Sequence, residues 1–528
     1  MRNDLVVRGL TASSGTQWVS VTKGENTGYV ELKRCVGTAP GVVEHLAQQN
    51  VLLFGKDSSS NLTSRVEELE DFPRSAIAEN IGWNGDIFAL PNGNIFPKSD
   101  SVPMPISFLP DTGKCAKKGT KKAWKAEVAG GLIGQKIPTF VLASAFMPPL
   151  LNFIDRSINI GFEIVGGPGI GKTTVQQLAA SALGCPTRNS GHPYSITMNT
   201  TMNGLEQIMR DHRDHLIILD ETNLFFGEAS KAARAGAFQT LAFKLGSGSE
   251  KERYNTPSEG DGHRFGFLIS SNEPLSDLIG ENSDSAKAAS DRILTIPVPT
   301  ERPHGVFDQI PSGISGSQFA SKLVAAAEEN HGFAIERYLE NLTKERRADE
   351  PALRAKIDKR MELFREESGV DRNDGSAVRV ADAFGLVYAA GMLAKEYGVL
   401  PKKMKCLSSA LHCYRLNRLH SVPSKPFIER LRGVVNSDGV IHRTKQTSAD
   451  TLAMASIIVS AKSGYDEIIL KSQAMRDHFP DWAVIQKSRE VKTLLDRDGQ
   501  HLKKKRTVGP NARSMRVLCF KLPRLDDD

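Results

Sequence analysis

Read from its N-terminus, the chain first alternates short apolar runs with turn residues. Gly28-Tyr-Val-Glu-Leu32, Val51-Leu-Leu-Phe54 and the stretch from Asp86 to Phe96 read as strands. The last of these folds into a β-hairpin across Asn92-Gly93, because Asn-Gly supplies the positive φ of a tight turn. Residues 98–122 are rich in Pro, Gly, Lys and Ser and read as a linker; Lys114, Lys117, Lys118, Lys121 and Lys122 make it either a solvated spacer or a strap against nucleic acid. From 123 to about 300, helix-like and strand-like segments alternate, the pattern of an α/β domain. From 316 to 435 the pattern is helical, with charge-rich stretches such as 343–365. Residues 436–461 are polar and weakly patterned, and a small helix–helix–hairpin unit closes the chain. No internal repeat of 20–50 residues is present.

The pattern therefore predicts a multidomain α/β protein. A β-rich N-terminal domain spans 1–110, a linker 111–122, an α/β core 123–315, a helical lid 316–435, a second linker 436–461 and a winged helix 462–528. The length of 528 residues suits about three domains at roughly 100–200 residues each. Hydrophobic residues at 40% and charged residues at 24% are ordinary for a globular protein and exclude a mainly disordered or fibrous chain. The longest apolar stretch, 137–154, contains Pro138, Pro148 and Pro149 and is barely long enough to cross a bilayer; it reads as a buried helix pair. The start, MRNDLVVRGL, has no apolar run behind its basic residue and does not read as a signal peptide. Six cysteines without C-x-x-C spacing support neither a zinc ribbon nor a thioredoxin-type site, and fit a reducing cytoplasm. A cytoplasmic protein without membrane attachment is expected.

The sharpest chemical signal is Gly166-Gly167-Pro168-Gly169-Ile170-Gly171-Lys172-Thr173, which fits G-x-x-x-x-G-K-[ST] at every position. It follows a β-rich run, 158–165, and opens a helix-compatible one, 173–183. In that context the glycines let backbone N–H groups turn onto phosphate oxygens, and the helix N-terminus adds positive potential. These residues and Thr174 are the candidate nucleotide contacts. Lys172 would reach the β- and γ-phosphates and Thr173 would ligate Mg²⁺. ATP and Mg²⁺ are thus the expected cofactors.

Three later segments extend this site. Leu216-Ile-Ile-Leu-Asp-Glu221 reads as a buried strand ending in two carboxylates. Asp220 would hold the metal through water, and Glu221 would act as general base on the attacking water. Phe265-Gly-Phe-Leu-Ile-Ser-Ser-Asn272 is a second buried strand, with Asn272 placed to orient that water. Arg292 precedes a final strand, 293–297, where an arginine reaches the γ-phosphate of a neighbouring subunit in oligomeric ATPases, a contribution of about 10³–10⁵ in rate in the best-known cases. P-loop, Asp-Glu, Asn and Arg follow one another in the order of AAA+ ATPases.

Further stretches resemble a known family. Trp83-Asn-Gly-Asp-Ile-Phe-Ala-Leu-Pro-Asn-Gly93 is similar to its N-terminal Gly-Trp, Leu-Pro-Asp-Gly hallmark. Gly119-Thr-Lys-Lys-Ala-Trp124, Asn203-Gly-Leu-Glu206, Gly246-Ser-Gly-Ser-Glu-Lys-Glu-Arg253, Gly305-Val-Phe-Asp308 and the run from Arg379 to Gly391 resemble its later motifs. The family is a bacterial P-loop family of uncharacterised AAA+ proteins carried by plasmids, prophages and chromosomal cassettes. Some members resemble minichromosome-maintenance-like replicative helicases. The resemblance spans about residues 25–522. It departs where Ser249 and Glu250 intervene before Lys251, and where Ser271-Asn-Glu273 replaces Ser-Gly-Glu. It implies an ATP-dependent DNA helicase working as a homo-oligomer, expected as a hexameric ring, on forked or single-stranded DNA.

DNA contacts are expected at two places. Residues 487–516 hold ten basic residues against three acidic ones, a surplus equal to the +7 of the whole chain. Lys487, Arg489, Lys503, Lys504, Lys505 and Arg506 would meet phosphates from a winged helix. Lys251 and Arg253, before the asparagine-ended strand, would line a central pore. Arg379 would contact the nucleotide from the lid. A non-translocating switch, such as a helicase loader or DNA-remodelling ATPase, and a defence-associated NTPase are the alternatives.

Overall fold

The computed structural model describes residues 5–524 apart from 13, 37–39, 55–57, 76, 99–113, 155–158, 199–200, 221–230, 248–262, 276–291, 422–426, 437–438, 480–481, 483–485, 487–488, 498–502 and 509–512. The chain divides into two compact units, Met1–Ser421 and Val422–Asp528.

The first unit opens with an antiparallel meander of β1 (Leu5–Thr11), β2 (Gln17–Lys23) and β3 (Asn26–Glu31). Val19, Val21 and Val30 from this sheet bury against Val42 and Leu46 of the helix Pro40–Gln48 and Leu62 of the helix Ser58–Glu67. The N-terminal region is therefore mixed, not simply β-rich. A second small sheet joins β4 (Gly82–Asn84), β5 (Ile87–Ala89) and β6 (Ile95–Phe96). The Asn92-Gly93 turn closes it as the sequence predicts: Leu90 N–H donates to Asn94 O at 2.8 Å, and Gly93 takes φ +83°. Trp83 anchors this sheet in the main core. Its indole N–H donates to Pro149 O at 2.9 Å, and the Arg346 guanidinium lies 4.3 Å over its ring.

Five nearly continuous apolar runs make the central sheet: β7 (Ile160–Val165), β8 (Ile196–Thr197), β9 (Leu216–Asp220), β10 (Gly266–Ser271) and β11 (Ile293–Pro297). All pair in parallel, in the order β11-β7-β10-β9-β8. Such runs are what a sheet covered on both faces requires. Strand alternation sorts their side chains into two cores. Phe162, Ile164, Ile218, Leu268 and Leu294 join the helices Lys136–Ser144 and Lys172–Leu183. Ile217, Leu219, Phe267, Ile269 and Ile293 pack instead with Phe238 and Leu241 of the helix Lys231–Ser247. The stretch 137–154 is buried as expected, as the helix Lys136–Ser144 and a 3₁₀ segment, Pro148–Phe153.

The helices Gly316–Glu329, Phe333–Ala348, Glu350–Ser368, Gly375–Glu396 and Cys406–Ser421 complete this unit. They are not a separate layer. Phe140, Phe162, Phe384 and Tyr414 form a chain of rings 4.9–5.6 Å apart that ties them to the sheet, and Asn417 donates to Thr295 O at 3.0 Å. Gly375–Glu396 is the one described helix long and apolar enough to cross a membrane, and 72% of its apolar window is buried inside the protein.

The second unit begins earlier than the sequence pattern suggests. The helix Phe427–Val435, expected to end the lid, packs Leu431 and Val434 into the core of this unit. The stretch 436–461, expected as a linker, supplies β12 (Val440–His442), the helix Ala449–Met454 and β13 (Ile457–Ala461). Three-residue β12 is too short to show alternation, and Ile457-Ile-Val459 is masked by the polar residues before it. With β14 (Tyr465–Leu470), β15 (Lys504–Thr507) and β16 (Ser514–Pro523) these form a sheet in the order β12-β13-β14-β16-β15. The helices Ser472–His478 and Arg489–Leu494 lie between β14 and β15 in the chain, as predicted.

Candidate functional site

The phosphate-loop sequence leaves the C-terminal end of β7 and turns directly into the helix Lys172–Leu183. Gly169 and Gly171 adopt φ of +77° and +97°, which side chains with a Cβ rarely accept. The loop is braced from below by the 305–308 motif. Val306 N–H donates to Ile170 O at 2.9 Å, and a Cβ on Gly305 would stand 2.3 Å from the same oxygen.

Side chains converge on the loop from two neighbouring strands. Lys172 Nζ donates to Gly166 O at 2.6 Å, Gly167 O at 2.8 Å and Asn272 Oδ1 at 3.1 Å. Burial pushes its pKa down and the Asp220 carboxylate opposes that shift. Thr173 Oγ1 and Asp220 Oδ1 are 3.5 Å apart. Ser270 Oγ donates to Asp220 Oδ1 at 2.6 Å, fixing the carboxylate. Sequence reasoning missed Ser270, because a serine near the end of an apolar strand carries no spacing signal. Since β10 lies between β7 and β9, Asn272 sits between the loop and Asp220's strand end. Glu221 lies outside the described residues.

A cleft of about 1120 Å³ opens over the loop. Its walls include residues 167–174, Asp220, Asn272, the 298–305 segment and one face of the helix Gly316–Glu329. The donor set fits a nucleotide with Mg²⁺. Backbone N–H groups and Lys172 suit phosphates, and the Thr173 hydroxyl and Asp220 carboxylate are the hard oxygen ligands that magnesium prefers. Arg379 is exposed on the first turns of Gly375–Glu396 and does not line this cleft. Arg302 lines it instead, paired with Asp308 at 2.7 Å.

Arg292 immediately precedes β11, whose first residue, Ile293, lies beside Gly161 in register. The loop leaves the opposite end of β7, roughly 16 Å away at about 3.3 Å per residue. The Arg292 guanidinium stacks on Phe243 at 4.4 Å, and its aliphatic stem crosses Gly246, where a Cβ would meet Cδ at 2.6 Å. Buried Asn159 binds the same region. It donates to Leu245 O and His263 O, both at 3.0 Å, and accepts from Phe265 N–H at 3.0 Å. Lys251 and Arg253, between these anchors in sequence, lie outside the described residues.

In the second unit, strand alternation splits the basic run. Lys504 and Arg506 turn toward acids: Lys504 pairs with Asp496 at 2.7 Å, and Arg506 pairs with the buried Glu467 and, at 3.3 Å, with Asp496. Lys503 and Lys505 are exposed, and Lys505 lies directly opposite exposed Arg516 on β16. The sequence count treats Lys503, Lys504, Lys505 and Arg506 as equivalent; the inward pair's partners are Asp496 and Glu467, the latter remote in sequence. Arg489 begins the helix Arg489–Leu494, and Lys487 lies outside the described residues.

Residues 19–259 match the family model of a domain of unknown function, DUF927. No curated protein matches the chain. Among solved structures the fold is similar to one described as SCCmec type IV Cch, an active helicase. That match has a TM-score of 0.57 at 14% identity and covers 98% of this chain and 93% of that one. A structure of the NrS-1 C-terminal region in its apo form matches at a TM-score of 0.30 and 11% identity, over 74% of this chain and 88% of that one. The chain thus shares its multidomain α/β fold, across nearly its whole length, with a structure described as a helicase.

Proposed function

We propose that this chain is an AAA+ ATPase that translocates on DNA, a replicative helicase of a mobile genetic element acting as a homo-oligomeric, hexameric ring. The observation that carries this reading is the distribution of groups along the central sheet. Lys172, Thr173, Asp220 and Asn272 meet at one end, while Arg292 occupies the other. A chain so built can hold a nucleotide at its own loop and offer an arginine to a different one.

In this reading the loop N–H groups and Lys172 hold the β- and γ-phosphates, and Thr173 and Asp220 hold Mg²⁺, which neutralises charge developing on the phosphates. Glu221 takes the proton from the attacking water, and Asn272 orients that water. Arg292 acts on the neighbouring subunit's γ-phosphate. Lys251 and Arg253 hold one DNA backbone in the pore. The second unit is a winged helix extended by β12 and β13; β16 returning antiparallel to β14 and the two intervening helices support that reading. The outward Lys503, Lys505 and Arg516 would meet DNA phosphates.

The test is paired. ATP hydrolysis with and without DNA, and strand displacement on a forked duplex, are measured for the wild type and Lys172→Ala. DNA-stimulated hydrolysis and displacement, both lost in the variant, support the proposal. Hydrolysis without displacement leaves the non-translocating switch as the better reading.

A further inference from the structure

β7 is apolar or glycine at every position except one. Glu163 stands at its middle, 1% exposed, between Phe162 and Ile164. A carboxylate in an apolar sheet is costly unless hydrogen-bonded, so its bonds show what it holds. In register it lies beside Ile269 of β10 and Thr295 of β11. Glu163 Oε1 accepts from Ser271 Oγ at 2.5 Å and from Leu275 N–H at 3.0 Å. Oε2 accepts from Thr295 Oγ1 at 2.9 Å.

The two donors on Oε1 bracket a short turn. Ser271 ends β10 and Leu275 lies four residues on, so one carboxylate oxygen pins both ends of the segment that carries Asn272. On the other face of the sheet Ser270 grips Asp220. Three consecutive residues are thus fixed to three elements: Ser270 to the acidic strand, Ser271 to β7 and Asn272 to Lys172.

We propose that Glu163 is a positioning residue for Asn272: it fixes the 271–275 turn from behind the sheet so that the Asn272 amide stays aligned with Lys172 and the reacting phosphate. This rests on the reading above that Asn272 orients the attacking water.

The experiment compares steady-state ATP hydrolysis of the full chain for wild type, Glu163→Gln, Asn272→Ala and the double variant, with binding of a fluorescent ATP analogue for each. Glutamine keeps the shape and one acceptor oxygen but replaces the other with a donor. Glu163→Gln is expected to lower kcat about three- to tenfold, with KM and analogue binding within about twofold, the pattern of a lost transition-state interaction. In the Asn272→Ala background the same change should cost less than about twofold, because the group it positions is gone. Ser271→Ala, which removes a single donor, should give a smaller loss of the same kind and serves if Glu163→Gln does not fold. Wild-type kcat in Glu163→Gln, or in Ser271→Ala where that substitute is used, overturns the proposal. So does an equal loss with and without Asn272. If Asn272→Ala alone hydrolyses ATP at the wild-type rate, the role given to Asn272 is what fails.

Discussion

The glycine-rich loop and the basic β15–β16 hairpin are the two most visible features of the sequence, and they differ in how their chemistry is built. The loop works through backbone groups and one lysine within eight consecutive residues. Its geometry is local, set by glycines at positive φ and by the helix that follows. The hairpin's charge depends on which face of a strand each residue takes and on acids far away in sequence. Two of the three β15 charges, Lys504 and Arg506, are spent inside the fold, on Asp496 and Glu467. A contiguous motif can be read directly, whereas a charge cluster must first be divided by strand period and by its internal partners.

The comparison breaks most sharply at Lys172. Lys172→Ala should lower ATP hydrolysis by about 10²–10³, the usual loss for a group that stabilises developing charge, while the second unit's DNA affinity stays as it was. A coupled-enzyme ATPase assay beside filter binding reads both. If DNA affinity falls equally, the two regions are not the separate devices described here.

Within the β15–β16 hairpin, the inward and outward pairs should fail in different ways. Lys504→Ala with Arg506→Ala leaves Glu467 and Asp496 without these donors, a cost of about 1–3 kcal/mol at the buried Glu467, read as an earlier thermal transition. Lys505→Ala with Arg516→Ala removes two exposed like charges that face each other, an arrangement unfavourable without a counter-anion. Stability should hold or rise slightly. The slope of log affinity against log salt should shrink by about 1.8, at roughly 0.9 per phosphate contact. Equal slopes for the two double variants would show that strand face does not decide which lysines meet DNA.

The smallest difference is in acid response. In the first unit, burial pushes His212 down to about 3, and burial also lowers His215. A folded pKa below the unfolded value gives stability that is present above about pH 6.5 and lost as pH falls below it. For His212 the loss from pH 7 to pH 6 is about 0.7 kcal/mol. In the second unit, burial raises Asp496, but the Lys504 hydrogen bond and the charges of Lys504, Lys521 and Arg506 hold it below the usual range. Its contribution is also lost on acidification, but only below about pH 3.8. Thermal melts between pH 7 and 5 should therefore soften the first unit first, and His212→Gln should flatten that slope.

Much of the loop end of the central sheet was legible because parallel strands are continuous apolar runs: Asp220 and Asn272 could be placed where the runs that precede them stop. Ser270 and Glu163 could not, since their roles depend on register between strands distant in sequence. Arg379 was expected at the nucleotide on motif order alone; the helix that carries it packs on the sheet through Phe384 and leaves Arg379 exposed outside the cleft. The start of the second unit was hidden because its helix Phe427–Val435 continues the helical pattern of the first.

The length of β11 has a consequence in the language of mass action. Under the proposed role, the strand keeps Arg292 too far from its own loop to serve it, so each complete site is a property of two chains. Specific activity should then depend on protein concentration, falling on dilution even when every chain is folded and holds nucleotide. In that role the strand would make assembly itself the switch that turns hydrolysis on.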